Sequence, residues 1–133
     1  MSRAGQMIET HPAQAPVDAD KLAEAIDACF ECAQTCTACA DACLGEDNPA
    51  ELAYCLRTDL DCADLCGTAG RVMSRQTAVE PEMIRAAVEA CVRACKLCGD
   101  ECERHANHHE HCRVCSEACR RCEQACNEVL SAL

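Results

Sequence analysis

The cysteines of this chain recur at steps of three and four residues, in four separate clusters. The first cluster has steps of 3, 4, 3 and 4 and consists of Cys29, Cys32, Cys36, Cys39 and Cys43. The last cluster repeats those steps in Cys112, Cys115, Cys119, Cys122 and Cys126. The third cluster has steps of 4, 3 and 4 in Cys91, Cys95, Cys98 and Cys102, and the second is sparser, with Cys55, Cys62 and Cys66. Alternating steps of three and four put side chains on one face of an α-helix. We therefore predict four helices, each with its thiols along a single face.

Boundary signals agree with four helices, which we predict near residues 18–44, 49–75, 79–105 and 109–131. Candidate capping sequences open the last three helices: Asn48-Pro49 with Glu51, Thr77 with Glu80 and Pro81, and Asn107 with Glu110. Two glycines, Gly67 and Gly70, weaken the second helix late in its run. The connections are short, so neighbouring helices should be antiparallel.

The predicted fold class is all-α, an antiparallel up-down-up-down four-helix bundle with a Cys-lined core. The bundle should span residues 18–133. Residues 1–17 form a separate N-terminal segment, in which Met7 and Ile8 could dock a short extra helix.

Large apolar side chains are scarce in the 133 residues, a length that suffices for one domain. Half of the residues count as hydrophobic, but 17 residues are Cys and 24 are Ala. Leu, Ile, Val and Phe together number 20, and the formal net charge is −11. Such a composition ordinarily indicates disorder, unless the core is built from something besides hydrocarbon. The cysteine clusters favour a core of that second kind.

The same composition excludes several classes of protein. The longest apolar stretch is only a few residues, too short to span a membrane. Residues 1–16 contain no apolar signal core and no twin-arginine pair, so we expect a cytoplasmic protein. The Lys and Arg residues are scattered among acidic residues, which argues against a nucleic-acid partner. The odd cysteine count of 17 argues against a secreted disulfide scaffold.

Three roles are open to thiols that line the faces of helices. Cys can act as a small buried hydrophobe, but Leu or Ile at most of these positions would stabilise a core more. Disulfides within one helix do not fit, because helical neighbours have Cβ atoms about 5–6 Å apart and a disulfide needs about 3.5–4.5 Å. Two metal–sulfur bonds of about 2.3 Å, the length in zinc thiolates, together span about 4.6 Å and let such a pair share an ion. We therefore predict that all 17 cysteines are metal ligands.

Charge favours Cu(I) as that metal. A buried thiolate is costly without a counter-charge, and the cysteine faces contain no Lys or Arg. A monovalent soft ion replaces each thiol proton one for one, and soft sulfur ligands select Cu(I). Zinc in Cys₄ sites would leave about two negative charges per site, and iron–sulfur clusters use loop spacings that differ from these. Charge matching predicts multiple ions, about one Cu(I) per Cys and roughly 15–20 per chain.

With these features the chain resembles the cytosolic branch of the bacterial copper storage proteins, which are Cys-rich four-helix bundles. The resemblance covers about residues 18–131 and rests on the matched clusters Cys29–Cys43 and Cys112–Cys126 and on the spacing His105-x₃-His109-x-His111. It implies Cu(I) held by Cys pairs inside the bundle, a homotetramer, and a role in copper homeostasis by sequestering cytosolic copper. The exported branch carries a twin-arginine signal and Met at the bundle mouth, which this chain lacks.

The two ends of such a bundle should differ. One end gathers polar candidates for an entrance, together with the nearest thiols: His105, His109, His111, Cys43, Cys55 and Cys112. The other end gathers an apolar plug: Leu22, Ile26, Met73, Ile84, Val88, Val129 and Leu130. Since the plug should exclude water and ions, we predict that copper enters through the histidine end. His108 ranks below His109 and His111, because it joins the cysteine face only if the last helix starts early, and His11 is left without a role.

Asp59 is a carboxylate on the cysteine face of the second helix, four residues after Cys55 and three before Cys62. Its oxygen is a hard and therefore poor ligand for Cu(I). We include Asp59 in the metal site with three candidate roles: orienting a histidine, drawing cations inward, or accepting protons released as copper binds. A hydrogen-bonded structural Asp is the alternative.

The sequence thus predicts a binding protein for Cu(I) storage and not an enzyme, with a copper chaperone as a candidate partner. An iron–sulfur or thiol redox protein is the first alternative, although a catalytic Cys needs an electropositive, accessible setting that buried thiols in an acidic chain lack. A zinc or mixed-metal buffer is the second alternative. A di-iron enzyme is excluded, because the required Glu-x-x-His motif does not occur.

Overall fold

Five α-helices and one short 3₁₀ helix make up the fold, and the computed structural model describes all residues from 1 to 133. The α-helices are α1, Arg3–Thr10; α2, Ala19–Leu44; α3, Ala53–Ser74; α4, Pro81–His105; and α5, Glu110–Ala132. The 3₁₀ helix, Pro49–Leu52, leads directly into α3. The predicted all-α bundle with a short extra N-terminal helix is confirmed.

Helices α2 to α5 form the bundle, and each packs against two neighbours. Helix α2 packs on α3, α3 on α4, α4 on α5, and α5 on α2. The connections are residues 45–48, 75–80 and 106–109, which are short enough to make consecutive helices antiparallel. Helix α1 packs on the outside of α2, where Ile8 joins the core while Met7 stays exposed.

The predicted helix ends agree with the structure to within two residues, except that the 3₁₀ helix takes the place of the first four residues of α3. The predicted capping boxes are wrong, however. The positions just before the 3₁₀ helix, α4 and α5 are held by Asn48, Glu80 and His109, and none of these makes a side-chain capping bond. The reason is that the preceding turns place Thr77 and Asn107 outside the capping position.

Prolines and one acidic cap define the helix starts instead. Pro49 and Pro81 stand in the first turns of the 3₁₀ helix and α4, as predicted, where their missing N–H costs no hydrogen bond. The carboxylate of Asp18 accepts from the backbone N–H groups of Asp20 and Lys21 at 3.0 and 3.1 Å and fixes the start of α2.

The core is built from sulfur more than from hydrocarbon. All 17 cysteines are among the 39 buried residues. Apolar side chains close one end of the bundle, and six of the seven predicted plug residues are buried: Leu22, Ile26, Met73, Ile84, Val88 and Val129. The seventh, Leu130, is half-buried and packs against the core. The plug predicted from the sequence is therefore present.

Helices α2 and α3 approach closely where Gly70 faces the ring of Phe30. A Cβ atom added at Gly70 would lie 2.9 Å from that ring, well inside the separation of about 3.5–4.0 Å that nonbonded carbons prefer. Helix α3 runs through both of its glycines to Ser74 without a break. The glycine that weakens an isolated helix here makes room for the largest side chain of α2.

Charged side chains pair across the outer surface of the bundle. Arg121 on α5 binds Glu24 and Glu31 on α2, and Arg120 binds Asp100 on α4. Water and salt screen exposed pairs of this kind, so they add little to the stability that burial supplies. None of the helices combines the length and the apolar character that crossing a membrane requires.

We predict that the reduced, metal-free protein is already folded. Neutral thiols pack as small hydrophobes, and the plug and Ile8 add buried hydrocarbon. Far-ultraviolet circular dichroism of the reduced protein in chelator should show a helical spectrum that is lost cooperatively in denaturant. Leu22→Ala should lower the free energy of unfolding by about 2–5 kcal/mol, because it leaves a cavity in the plug. A coil-like spectrum that becomes helical only with metal would show that this expectation is wrong.

Candidate metal centre

The thiols form a network along the axis of the bundle. All 17 cysteines are free and buried. Fourteen of them have another sulfur within 4.0 Å. The closest pairs include Cys29 with Cys126 and Cys66 with Cys95, each at 3.5 Å and each between two different helices. The four cysteine faces predicted from the sequence therefore meet in one interior.

Groups of four cysteines hold their sulfur atoms within 4.8 Å of one another. From the plug towards the other end, four of these groups are Cys29, Cys91, Cys122 and Cys126; Cys32, Cys66, Cys95 and Cys122; Cys32, Cys36, Cys62 and Cys119; and Cys36, Cys98, Cys115 and Cys119. Each group shares at least one cysteine with the next. Shared ligands of this kind suit thiolates that bridge several ions in a row.

The sulfur–sulfur distances of 3.5 to 4.0 Å match the spacing of ligands around a soft metal ion. With bonds of about 2.3 Å, sulfur atoms lie about 4.0 Å apart around a three-coordinate ion and about 3.8 Å apart around a four-coordinate ion. A disulfide needs about 2.05 Å between its sulfur atoms, so forming one would draw two helices together. The interior is thus spaced for metal ions.

Burial favours the protonated form of a thiol, because a charged thiolate is costly in an interior that excludes water. Burial raises the pKa of the Cys43 thiol, and the neighbouring Cys55 and Cys112 raise it further. Ligation requires the thiolate, so each ion that enters must displace protons to water.

Asp59 is a fully buried carboxyl inside this network. Its Oδ1 accepts hydrogen bonds from the thiols of Cys98, Cys102 and Cys115 at 3.1, 3.4 and 3.3 Å. Its Oδ2 has no hydrogen-bond partner. Burial, reinforced by Cys115 and Cys98, raises the pKa of Asp59 to about 11. The carboxyl is therefore neutral at physiological pH, which spares the core a buried negative charge.

The histidine end holds a mixed set of ligands. Four residues place their ligand atoms within 4.8 Å of one another, and we call them the mouth group: Cys39, Cys43, Cys112 and His111. The Nδ1 atom of His111 lies 3.3 Å from the Cys39 sulfur and 3.7 Å from the Cys112 sulfur. Cys55, also predicted at this end, lies 3.7 Å from the sulfur of Cys102.

Each of the three histidines predicted at this end is paired with a carboxylate. Glu46 Oε2 lies 2.9 Å from His111 Nε2 and 2.7 Å from His109 Nδ1. Glu101 Oε2 lies 3.0 Å from His105 Nε2. The hydrogen bond from His111, followed by the charge of His109, holds the pKa of Glu46 below its usual value. Glu46 is therefore ionised and fixes two imidazole rings at once.

These partners correct one prediction. The prediction that Asp59 orients a histidine is wrong. Asp59 contacts thiols, and the histidines are held by Glu46 and Glu101. Glu101 lies one helical turn before His105, and that spacing could have revealed it. Glu46 lies in the connection after α2, 65 residues from His111, and the folded chain alone brings the two together.

The remaining histidines lie outside the mouth group. His108 is exposed, in agreement with its lower rank. His11 lies in the segment between α1 and α2, beside a surface cavity that is also lined by Ala19 and Ala23 at the start of α2. Its Nδ1 accepts a hydrogen bond from the backbone N–H of Ala13 at 2.9 Å. Because the start of α2 is the plugged end, His11 is remote from the mouth.

The buried thiol network, with histidines at one end, defines a cysteine-rich metal-binding four-helix bundle. The chain belongs to the copper storage protein family, whose model matches residues 18–131. It is also similar to the uncharacterized cysteine-rich protein YhjQ of Bacillus subtilis, with 34% identity over 92 residues. That alignment covers 69% of this chain and 80% of YhjQ.

Solved structures of a Streptomyces lividans relative share the fold closely. The copper storage protein Ccsp, in a form loaded with 10 copper equivalents, is 52% identical and has a TM-score of 0.95, with 98% of this chain and 99% of that chain covered. A second structure, described as a cytosolic copper storage protein with five coppers, is 55% identical with a TM-score of 0.84. It covers 86% of this chain and 95% of its own.

We predict that the cysteines of the mouth group react first with an alkylating reagent. They lie beside histidines that are about one-quarter exposed, whereas Cys29, Cys91 and Cys126 lie next to the plug. Brief treatment of the reduced native protein with N-ethylmaleimide, followed by peptide mass spectrometry, should therefore label the mouth group before those three. Denatured protein, in which every thiol is accessible, is the control. Labelling that begins near the plug would contradict this assignment of the two ends.

Proposed function

We propose that this protein stores Cu(I) at high capacity in the cytosol and does so without catalysis. The observation that carries the proposal is the buried interior of 17 free thiols, 14 of which have another sulfur within 4.0 Å. Membership of the copper storage protein family supports it. Further support comes from the Streptomyces lividans relatives, which are described as copper-loaded and cytosolic.

Charge supports Cu(I) over divalent metal ions in the interior. Each Cu(I) can replace one thiol proton, so a filled interior keeps the near-neutral charge of the empty one. A divalent ion in a group of four thiolates would leave about two negative charges in the same space. No Lys or Arg is among the buried residues to compensate such charges.

The proposed path of loading runs from the mouth group inward to the sites beside the plug. His105, His109 and His111 would hold an arriving ion in passing, and the cysteines would retain it. Asp59 supports this direction, because its Oδ1 contacts thiols of α4 and α5 between the mouth and the deeper groups. In this proposal the neutral Asp59 assists loading by exchanging protons with the neighbouring thiols and is not a storage ligand.

The proposal also covers the assembly of the chain and the delivery of copper ions to it. We infer a homotetramer from the family resemblance, and we expect a copper chaperone to deliver the ions. A groove between α3 and α4, lined by Leu65 and Leu97, supports a face covered by another copy of the chain. Leu97 is 51% exposed in the single chain.

The first prediction of this proposal concerns capacity. Anaerobic titration of the reduced protein with Cu(I), against a chromophoric competing chelator, should saturate near one ion per cysteine, at roughly 15–20 ions per chain. The physical reason is the exchange of one proton for one monovalent ion at each thiol. Saturation at a few ions would contradict storage and favour a zinc or iron–sulfur protein.

The second prediction concerns the path of loading. Replacing His105, His109 and His111 together by Ala should slow loading severalfold, as measured by stopped-flow mixing with a fixed Cu(I) donor, and leave the final capacity nearly unchanged. Imidazoles at an entrance need only bind an ion transiently. Asp59→Ala should likewise change the rate more than the capacity.

Matched controls are available for both variants. His108→Ala removes an exposed histidine of the same segment, and Asp61→Ala removes a surface carboxylate that pairs with Arg57. Both controls should load like the unmodified protein. Unchanged loading of the triple variant would place the entrance elsewhere, and a loss of several ions would make the histidines storage ligands.

A further inference from the structure

The mouth group differs in chemistry from the rest of the network. The four interior groups offer sulfur alone, whereas the mouth group offers three sulfur atoms and one imidazole nitrogen. Three cysteines with one histidine are a common ligand set for zinc. The mouth group therefore differs from the interior groups in the ion that its ligands suit.

The distances in the mouth group fit a tetrahedral zinc ion. With zinc–sulfur bonds of about 2.3 Å and zinc–nitrogen bonds of about 2.0–2.1 Å, sulfur and nitrogen ligands lie about 3.6 Å apart. The Nδ1 atom of His111 lies 3.3 and 3.7 Å from the sulfur atoms of Cys39 and Cys112. The remaining pairs lie within 4.8 Å, so small side-chain rotations complete the tetrahedron.

Glu46 supplies the outer partner that zinc-binding histidines usually have. Its Oε2 lies 2.9 Å from the Nε2 atom of His111. With the Nε2–H group donating to this carboxylate, the lone pair of Nδ1 points towards the sulfur atoms. A carboxylate that orients a histidine in this way fixes its tautomer and raises its basicity as a ligand.

Charge also favours a divalent ion at the mouth over one in the interior. Three thiolates and one neutral imidazole around Zn²⁺ leave a net charge of about −1, against about −2 in a group of four thiolates. The mouth group lies at the rim of the bundle, where the side chain of His111 is 26% exposed and water can screen that charge. The three mouth thiols are as buried as those of the interior groups, so the partly exposed His111 is the ligand that water can reach.

We propose that the mouth group binds one Zn²⁺ ion, with Glu46 as the positioning residue of its histidine ligand. Binding displaces the three thiol protons to water and forms three zinc–sulfur bonds and one zinc–nitrogen bond. Because the same residues lie on the proposed path of copper, a bound zinc ion slows the loading of Cu(I). This second statement rests on the proposed function, and the zinc site itself does not.

The test uses Co²⁺ as a coloured substitute for Zn²⁺ in the reduced, metal-free protein under anaerobic conditions. Titration should produce sulfur-to-cobalt charge-transfer bands and intense tetrahedral d–d bands that saturate at one equivalent, and one equivalent of Zn²⁺ should abolish them. Glu46→Gln should weaken binding by about 10–100-fold. His111→Ala should shift the d–d bands, because it replaces the nitrogen ligand.

Two controls separate the mouth group from its surroundings. Glu110→Gln alters an exposed carboxylate that pairs with Arg113, immediately before His111 in the chain, and should leave cobalt affinity unchanged. Asn107→Ala removes an exposed polar side chain of the same connection and should do the same. Circular dichroism of each variant verifies that it is folded. Saturation well above one equivalent, or equal weakening of cobalt binding by Glu110→Gln and Glu46→Gln, would overturn the site.

The effect of bound zinc on the rate of Cu(I) loading is measured in a separate experiment. Protein carrying one equivalent of Zn²⁺ should load Cu(I) more slowly than metal-free protein in stopped-flow mixing. Equal rates would overturn the effect of zinc on loading. A low copper capacity in metal-free protein would instead contradict the storage function while leaving the zinc site intact.

Discussion

The interior of this bundle must stay close to electrically neutral, and the rest of the structure depends on that constraint. Burying an unpaired charge is costly, and 17 potential thiolates share one buried space. In the metal-free protein a neutral Asp59 meets the constraint, and so does each thiol that keeps its proton. A monovalent ion that replaces a thiol proton meets it as well. The same requirement therefore explains how the core packs when empty and which ion it can accept in quantity.

A core of sulfur changes how the helices are held together. Cysteine side chains are small, so the helices must approach closely, and the contact of Gly70 with Phe30 is one place where they do. The hydrocarbon is concentrated at one end, where Leu22, Met73 and Val88 are fully buried. This arrangement separates two tasks, because the plug stabilises the fold while the thiols remain available as ligands.

The sequence predicts those parts of the structure that depend on local spacing. The cysteine steps of three and four establish the helices and their inward faces, and Pro49 and Pro81 mark two starts. The predicted capping boxes were wrong because the course of each turn decides which side chain reaches the free N–H groups at the start of the helix. The position of Asp59 was predictable, but its partners were not, since Cys98 and Cys115 come from two other helices. Glu46 carries no periodic signal in its loop and becomes visible only when the chain folds.

The alternation of helix direction makes the two ends of the bundle chemically different. The end of α2, the start of α3, the end of α4 and the start of α5 meet at one end, and the connections after α2 and α4 bring Glu46 and His109 there. Polar groups are tolerated at this rim because water reaches them, whereas deeper positions favour neutral groups. Ligand chemistry therefore changes along the axis, from nitrogen, oxygen and sulfur at the mouth to sulfur alone beside the plug. If ions enter as proposed, substitutions in the loop at Glu46 alter the entrance without touching the thiols that retain the ions, so entry and retention can change independently.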